Sequence, residues 1–543
     1  MARMTGGQAL VRSLLVEGVS VVFGLPGVQL YGVVDALREE SSRIRLITTR
    51  HEQATSYMAD GYARASGTFG VALVVPGPGL LNASAGLSTA YSASSPVLMI
   101  SGQVPRSQIG KNIGVLHEVN DQLDCIAPVT KWRRRVLDVA DVPAAVREAV
   151  TQLKSGRPRP VEIEMPPETM EEEGEVELLA PSAARREAAD RKDIERAARM
   201  LLAAARPVIY AGGGVHGAGA HEVLALVAEY LQAGVVQSAE GKGAISDESD
   251  LSLGAALWPR NPLRQYIDAA DVVLAVGSRL ALAGFPSDHQ VIQIDVDEEE
   301  IGRNHKKTFG LVGDARATLE QLLERLRAAG PPKQSRKAER EALRARLDAF
   351  TDGQQPQGAI LRSLQAGTPE AAIVVAGMTQ IGYYSRPFWK VRQPRTYLTS
   401  SYSGNLGYAF PTALGAKVAC PDRPVVAISG DGGFMYNVQE LSTAARYGIN
   451  VVQLVFNDNA YGNVARDLDE AWGGSYGAEL KNPDFMKLAE AFDVVGMRAG
   501  SPDEVGDLVR KAIPLGRPVL IDVPVGRMPR PVFFPLRSTR PRR

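Results

Sequence analysis

The chain has 543 residues, too many for one hydrophobic core, and a prior of ~150 residues per domain divides it into three or four. Apolar residues make up 45% and charged residues 22%, the balance of an ordinary globular protein. Lys plus Arg and Asp plus Glu number 61 each, which excludes a chain-wide basic footprint for nucleic acid. Cys125 and Cys420 are too few and too far apart for a disulfide framework or a cysteine-built zinc site, and suit a reducing cytoplasm. No apolar run approaches the ~20 residues of a membrane span, and Met1 to Gln8 lacks a signal-peptide pattern. The expectation is a soluble, cytoplasmic protein with no membrane partner.

Taken in order, the first block (1–170) has apolar runs at Val21 to Phe23, Ile44 to Thr48, Val71 to Val75 and Val97 to Ile100, alternating with helix-like segments. It closes at Val161 to Glu164. That alternation predicts a doubly wound parallel sheet covered by helices on both faces. Glu171 to Arg191 reads as a linker. The second block (190–330) has strands at Pro207 to Tyr210, Val272 to Val276 and Val291 to Ile294. Pro331 to Asp348, rich in Lys, Arg and Glu, reads as a second linker with helical propensity on a solvated face. The third block (355–526) has strands at Ile373 to Ala376, Val425 to Ser429, Val451 to Phe456 and Val519 to Val523. Its helices are expected at Val438 to Tyr447 and Asp484 to Phe492. The Pro-rich tail, 527–543, is basic and reads as a solvated terminus. The fold class is therefore α/β, with three doubly wound parallel-sheet domains.

The densest chemistry lies in the third block. The run Val425 to Ser429 feeds into Gly430-Asp431-Gly432-Gly433, and the next strand ends in Asn457-Asp458-Asn459-Ala460. Binding groups in such sheets collect at the carboxyl ends of the strands. The glycines admit close backbone approach, and their N–H groups can face a phosphate at a helix N-terminus. Asp431 and the Asn457 to Ala460 turn add hard oxygen ligands, which suit Mg²⁺ bridging to phosphates. The bland alternative is two polar turns.

The stretch Gly430 to Asn459 resembles the thiamine diphosphate motif, a Gly-Asp-Gly followed after a helix and a strand by paired Asn. The resemblance runs over nearly the whole chain, in the order pyrimidine-binding, central and diphosphate-binding domain. Within that family the chain looks like the acetolactate (acetohydroxyacid) synthase large subunits. The resemblance implies metal ligation by Asp431, the side chain of Asp458 and the carbonyl of Ala460. Asp458 departs from the family's usual Asn and makes the site more anionic. Gly430, Gly432 and Gly433 would cradle the diphosphate, with Gln380 nearby, although Met378-Thr379 replaces the family's Gln-His pair.

In the first block, Glu52 follows the strand Ile44 to Thr48 and by itself reads as a helix-start carboxylate. Asp60-Gly61-Tyr62-Ala63-Arg64 behind it resembles the family's catalytic-glutamate helix. The resemblance implies that Glu52 bonds the cofactor's pyrimidine nitrogen and so promotes proton removal from the thiazolium. It also implies that Glu52 meets the metal motif across a homodimer interface, within a dimer or a dimer of dimers, leaving a regulatory subunit open. Pro76, in Val75-Pro76-Gly77-Pro78-Gly79, and Asn82 on the following helix fall among the implied cofactor contacts. Leu406, in Gly404-Asn405-Leu406-Gly407, would be the wedge that bends the cofactor. Gly27 would keep room above the thiazolium, and Lys131 matches a lysine near the synthases' active site.

The departures bear on substrate. His117, in Leu116-His117-Glu118, stands where the synthases carry Gln, and reads either as a proton donor near neutrality or as a surface histidine. Asp467 aligns near the tryptophan with which the synthases favour 2-oxobutyrate as acceptor. In the middle block, Gly212-Gly213-Gly214-Val215-His216-Gly217 fits a dinucleotide fingerprint by letter, but a lone match is weak. That block binds flavin in the synthases, so FAD is left open. The flavin-contacting stretch of the synthases is not recognisable around Leu253 to Pro259. The implied activity is thiamine-dependent carboligation of a small 2-oxoacid, pyruvate being the donor. Decarboxylation, acyloin or diketone cleavage, and a nonenzymatic assembly or regulatory role are the alternatives.

Overall fold

The computed structural model describes residues 1–183, 186–255, 261–281 and 283–531, with the side chains of 351 and 352 excepted. Three separate sheets are built from the three blocks. The first has six parallel strands in the order Arg45–Thr48, Val21–Gly24, Gly70–Val74, Val97–Gly102, Val161–Met165 and Trp132–Arg135. The second has five, ordered Gly234–Gln237, Pro207–Ala211, Val272–Val276, Gln290–Asp295 and Thr308–Val312. The third has six, ordered Tyr397–Thr399, Ile373–Ala376, Val425–Gly430, Val451–Asn457, Val519–Pro524 and Val495–Arg498. All pairings inside these sheets are parallel, as buried runs of Val, Ile and Leu between crossover helices require.

Two expectations about the connections change. The first linker is not featureless: Glu173–Val176 pairs antiparallel with Ala2–Thr5, tying it to the N-terminus. The second contains the helix Lys337–Asp352, which is not wholly solvated, because Arg340 is 1% exposed and bonds Asp250 at 2.8 Å. Of the basic tail, residues 527–531 are described and 532–543 lie outside the described residues.

What brings the first and third blocks together is a crossing of two helices, Glu52–Ser66 and Ala409–Ala419. A Cβ on Gly61 would stand 2.0 Å from the Thr412 carbonyl oxygen, and one on Gly415 would stand 1.9 Å from that of Met58. Only glycine permits this backbone contact. Arg64, on the same helix, reaches the third block at the Thr399 carbonyl (2.6 Å) and the middle block at Glu240 (2.8 Å). The helix that begins with Glu52 is thus held by all three parts of the chain.

Candidate active site

The strands Val425–Gly430 and Val451–Asn457 pair in register, Gly430 opposite Phe456, so their carboxyl ends lie at one level. Gly430 caps a single helical turn, Asp431–Phe434, earlier than the expected helix start near Val438. The expected helix is a 3₁₀ turn, Val438–Glu440, continued by Leu441–Tyr447. A Cβ on Gly432 would lie 2.6 Å from the Tyr461 ring, and one on Gly430 would lie 3.1 Å from Thr379 Oγ1. The turn is therefore a close-fitting cradle. Leu406 lies beside it, 3.6 Å from a Cβ built on Gly433.

Asp431 is 1% exposed, and its Oδ2 accepts from Asn482 Nδ2 at 2.6 Å. The same amide group reaches Asn457 Oδ1 at 2.9 Å and Asn459 Oδ1 at 3.3 Å, so Asn482 gathers both strand ends. Asn459 takes a left-handed conformation, which Asn tolerates, and Ala460 is held by a bridge to Glu479. Asp458 Oδ2 would lie 2.2 Å from a Cβ on Gly462, so that glycine makes room for it. Burial, with the charge of Asp431 added, pushes the Asp458 carboxyl up to about 6, and burial also raises that of Asp431. A buried carboxylate whose charge opposes the ionisation of a half-buried neighbour is the electrostatic setting a divalent cation relieves. Asp431, Asp458 and the Ala460 carbonyl thus fit a hard metal, and the glycine turn fits a phosphate.

In the first block Glu52 opens the helix Glu52–Ser66, and its side chain is 15% exposed. Its Oε2 accepts from Asn82 Nδ2 at 3.1 Å. The backbone before it is fixed from the third block: Arg50 and His51 donate to Glu440 Oε1 at 3.0 and 3.1 Å. Pro76 precedes Gly77, whose Cβ would lie 2.2 Å from the His117 carbonyl oxygen. The loop bearing His117 therefore rests on the turn that leads to Asn82. Gly27 closes from the other side, where a Cβ would meet Val75 Cγ1 at 2.7 Å.

Sequence families identify the domains in which these two half-sites lie. Residues 377–523 match the model described as the C-terminal TPP binding domain of thiamine pyrophosphate enzymes. Residues 4–125 match the N-terminal TPP binding domain and 194–322 the central domain. The chain belongs to the thiamine pyrophosphate enzyme family. It is 34% identical over 547 residues to a probable acetolactate synthase large subunit of Methanocaldococcus jannaschii, covering 96% of this chain and 92% of the relative. It is 36% identical over 516 residues to a probable 2-ketoarginine decarboxylase of Pseudomonas aeruginosa, covering 93% and 91%. The acetolactate synthase isozyme 3 large subunit of Escherichia coli is 33% identical over 552 residues, covering 97% and 95%.

Within this thiamine pyrophosphate enzyme, Lys131, Gln380 and Asp467 are each held by partners inside the chain. Lys131 is not turned to Glu52: its Nζ donates to the carbonyls of Gln152, Ser155 and Arg157 at 2.8, 2.5 and 3.1 Å, closing the end of the helix Val142–Lys154. Gln380 joins the third block's site through Arg466, whose Nη1 donates to its Oε1 at 3.1 Å. Asp467 pairs with Arg530 at 2.7 Å and Arg466 at 3.4 Å, making a charged lattice rather than an apolar wall. In the central domain Gly212 and Gly214 pack directly on Gly277, and Glu240 sits over Gly213 while bound to Arg64. Those glycines serve close backbone packing. Of the segment Leu253 to Pro259, residues 256–259 lie outside the described residues. Asn482 was missed by the sequence reading, since an amide 23 residues beyond Asn459 carries no motif of its own.

No hydrogen bond or ion pair among the described residues joins Glu52 to the Asp431 set. No described helix is long and apolar enough to cross a membrane.

Proposed function

We propose that this thiamine pyrophosphate enzyme decarboxylates a small 2-oxoacid, with pyruvate as donor, and ligates the remaining unit to a second carbonyl. The observation that carries the reading is the gathering of Asp431, Asp458 and the Ala460 turn beside a glycine cradle at two adjacent strand ends. Asp431, Asp458 and the Ala460 carbonyl would hold Mg²⁺, and Gly430, Gly432 and Gly433 would cradle the diphosphate. When bound, the cofactor supplies a thiazolium that accepts the electron pair released as CO₂ departs.

The chain's own residues orient and exclude. Glu52, its carboxylate steadied by Asn82, would hold a proton at the cofactor's pyrimidine nitrogen. Leu406 would set the cofactor's bend, Gly27 would keep room above the thiazolium, and Pro76 would contact the cofactor. The reading has Glu52 of one copy meet the Asp431 set of another in a homodimer.

A second reading, simple decarboxylation, is favoured by the ionic lattice of Arg466, Asp467 and Arg530 where the synthases carry tryptophan. A relative named as a probable 2-ketoarginine decarboxylase supports it too. The test is to incubate pure protein with thiamine diphosphate, Mg²⁺ and pyruvate and identify the products. Acetolactate sustains the proposal and acetaldehyde alone selects the second reading. Failure to release CO₂ from pyruvate or from a polar 2-oxoacid such as 2-ketoarginine sinks both.

A further inference from the structure

Away from both half-sites, a cavity of about 70 Å³ opens between the central domain, the helix Lys337–Asp352 and the segment 387–390 of the third block. A water needs roughly 10–15 Å³ of such space, so the cavity has room for about five water-sized groups. Lys242, 1% exposed, lines it, and its Nζ donates to no atom of the described residues. The nearest carboxylate, Asp247 Oδ2, is 4.0 Å away, and the Tyr397 ring is centred 5.8 Å away.

The charges around that ammonium do not balance locally. Asp247 is already engaged: Oδ1 accepts from Gln237 at 3.0 Å and Ser252 at 2.6 Å, and Oδ2 accepts from the Val391 N–H at 2.7 Å. Arg344, also on the wall, donates to the carbonyls of Ser249 and Asp247, both at 2.9 Å. Lys390 and Asp348 pair with each other at 3.3 Å at the exposed rim. Among the described residues, and apart from that rim pair, the lining holds Lys242 and Arg344 against the Asp247 carboxylate, and an unsatisfied buried donor is costly. Burial lowers the Lys242 pKa, as expected of an ammonium short of acceptors. The remaining wall is apolar: Leu253, Leu347, Phe388 and Trp389.

We infer that this cavity binds a small monocarboxylate, its carboxylate on Lys242 Nζ and its apolar end against Leu253 and Phe388. The site is independent of the proposed reaction. Because its walls come from the central domain, the connecting helix and the third block, an occupant links those parts.

Propionate, which has no 2-oxo carbon, is the probe, added to holoenzyme saturated with thiamine diphosphate and Mg²⁺. Ligand-observed NMR titration is expected to show saturable binding, with sodium chloride at equal ionic strength as control. Glu52→Gln should bind propionate equally well, whereas Lys242→Met should bind at least tenfold more weakly. No saturable binding, or equal affinity in Lys242→Met, overturns the inference. Should Lys242→Met fail to fold, a propionate-soaked wild-type crystal decides. Carboxylate density at Nζ supports the site, and ordered water alone refutes it.

Discussion

His117 lies with Nδ1 2.7 Å from Oε1 of Gln29, and both residues adopt left-handed backbone, with φ of 68° and 69°. The Gln29 amide is itself oriented, since its Nε2 donates to the Leu116 carbonyl at 3.1 Å. Its oxygen must therefore face the ring, so a neutral His117 donates from Nδ1 and leaves Nε2 as acceptor. Strained backbone at two adjoining positions costs ~1–3 kcal/mol each and persists where the surroundings enforce it.

If His117 acts on the substrate, His117→Phe lowers kcat by roughly 10²-fold, the scale of one proton-transfer group. Gln29→Leu, which frees the tautomer, then lowers kcat in the same direction with a smaller change in KM. Steady-state kinetics on both variants is the check; unchanged kcat in His117→Phe returns that residue to the surface-histidine reading.

Glu52→Gln is expected to keep the fold and the thermal midpoint while losing roughly 10²–10⁴-fold in turnover. The Asn82 amide can still bond a glutamine oxygen, so the loss is chemical rather than structural. CO₂ release at saturating cofactor measures it, and near-wild-type turnover removes the assigned role.

Asn482→Ala is expected to weaken Mg²⁺ activation by roughly 10–100-fold, the usual effect of losing a residue that orients metal ligands. Asp431→Asn should go further and abolish cofactor binding. Both are read as Mg²⁺ titrations of activity after chelator treatment, with tryptophan fluorescence following cofactor uptake. An unaltered Mg²⁺ midpoint in Asn482→Ala contradicts its part in gathering the strand ends.

Gly61→Ala forces a Cβ to within 2.0 Å of the Thr412 carbonyl oxygen, so the two crossing helices must separate. Overpacking of this kind costs ~1–3 kcal/mol or more. The thermal midpoint should fall, and limited proteolysis should cut between the first and third blocks sooner than in wild type.

Glu162 is fully buried beside Glu164, and burial pushes its carboxyl up to about 8. In the unfolded chain the same group ionises near its ordinary value of 4.5. Its raised folded pKa therefore leaves stability intact below about pH 4.5 and erodes it as pH rises towards 8. Glu162→Gln escapes that erosion while still accepting from Ser101. Its thermal midpoint relative to wild type should rise between pH 5 and 8, and a constant difference across that window contradicts the buried-acid account.

The alternation of buried strands with helices was legible because a parallel sheet covered on both faces needs near-continuous runs such as Val425 to Ile428. The short edge strands Trp132–Arg135 and Val495–Arg498 were not, because an edge strand need not be apolar and its partner supplies the order. Asp431 and Asp458 stood out by position, at the ends of two strong strands. Asn482 and Gln29 did not, because their value lies in the atoms they meet.

The sequence by itself placed Gly430 to Gly433 and the carboxylates of Asp431 and Asp458 at the ends of two strands, since the apolar runs before them mark where each strand stops. It also placed Glu52 at a helix start. Only the tertiary structure decided that Lys131 closes a helix, that Gly61 and Gly415 bring two helices into backbone contact, and that Lys242 is buried with no hydrogen-bond acceptor among the described residues. Those outcomes depend on groups distant in the chain, whose approach is set by packing and not by local pattern.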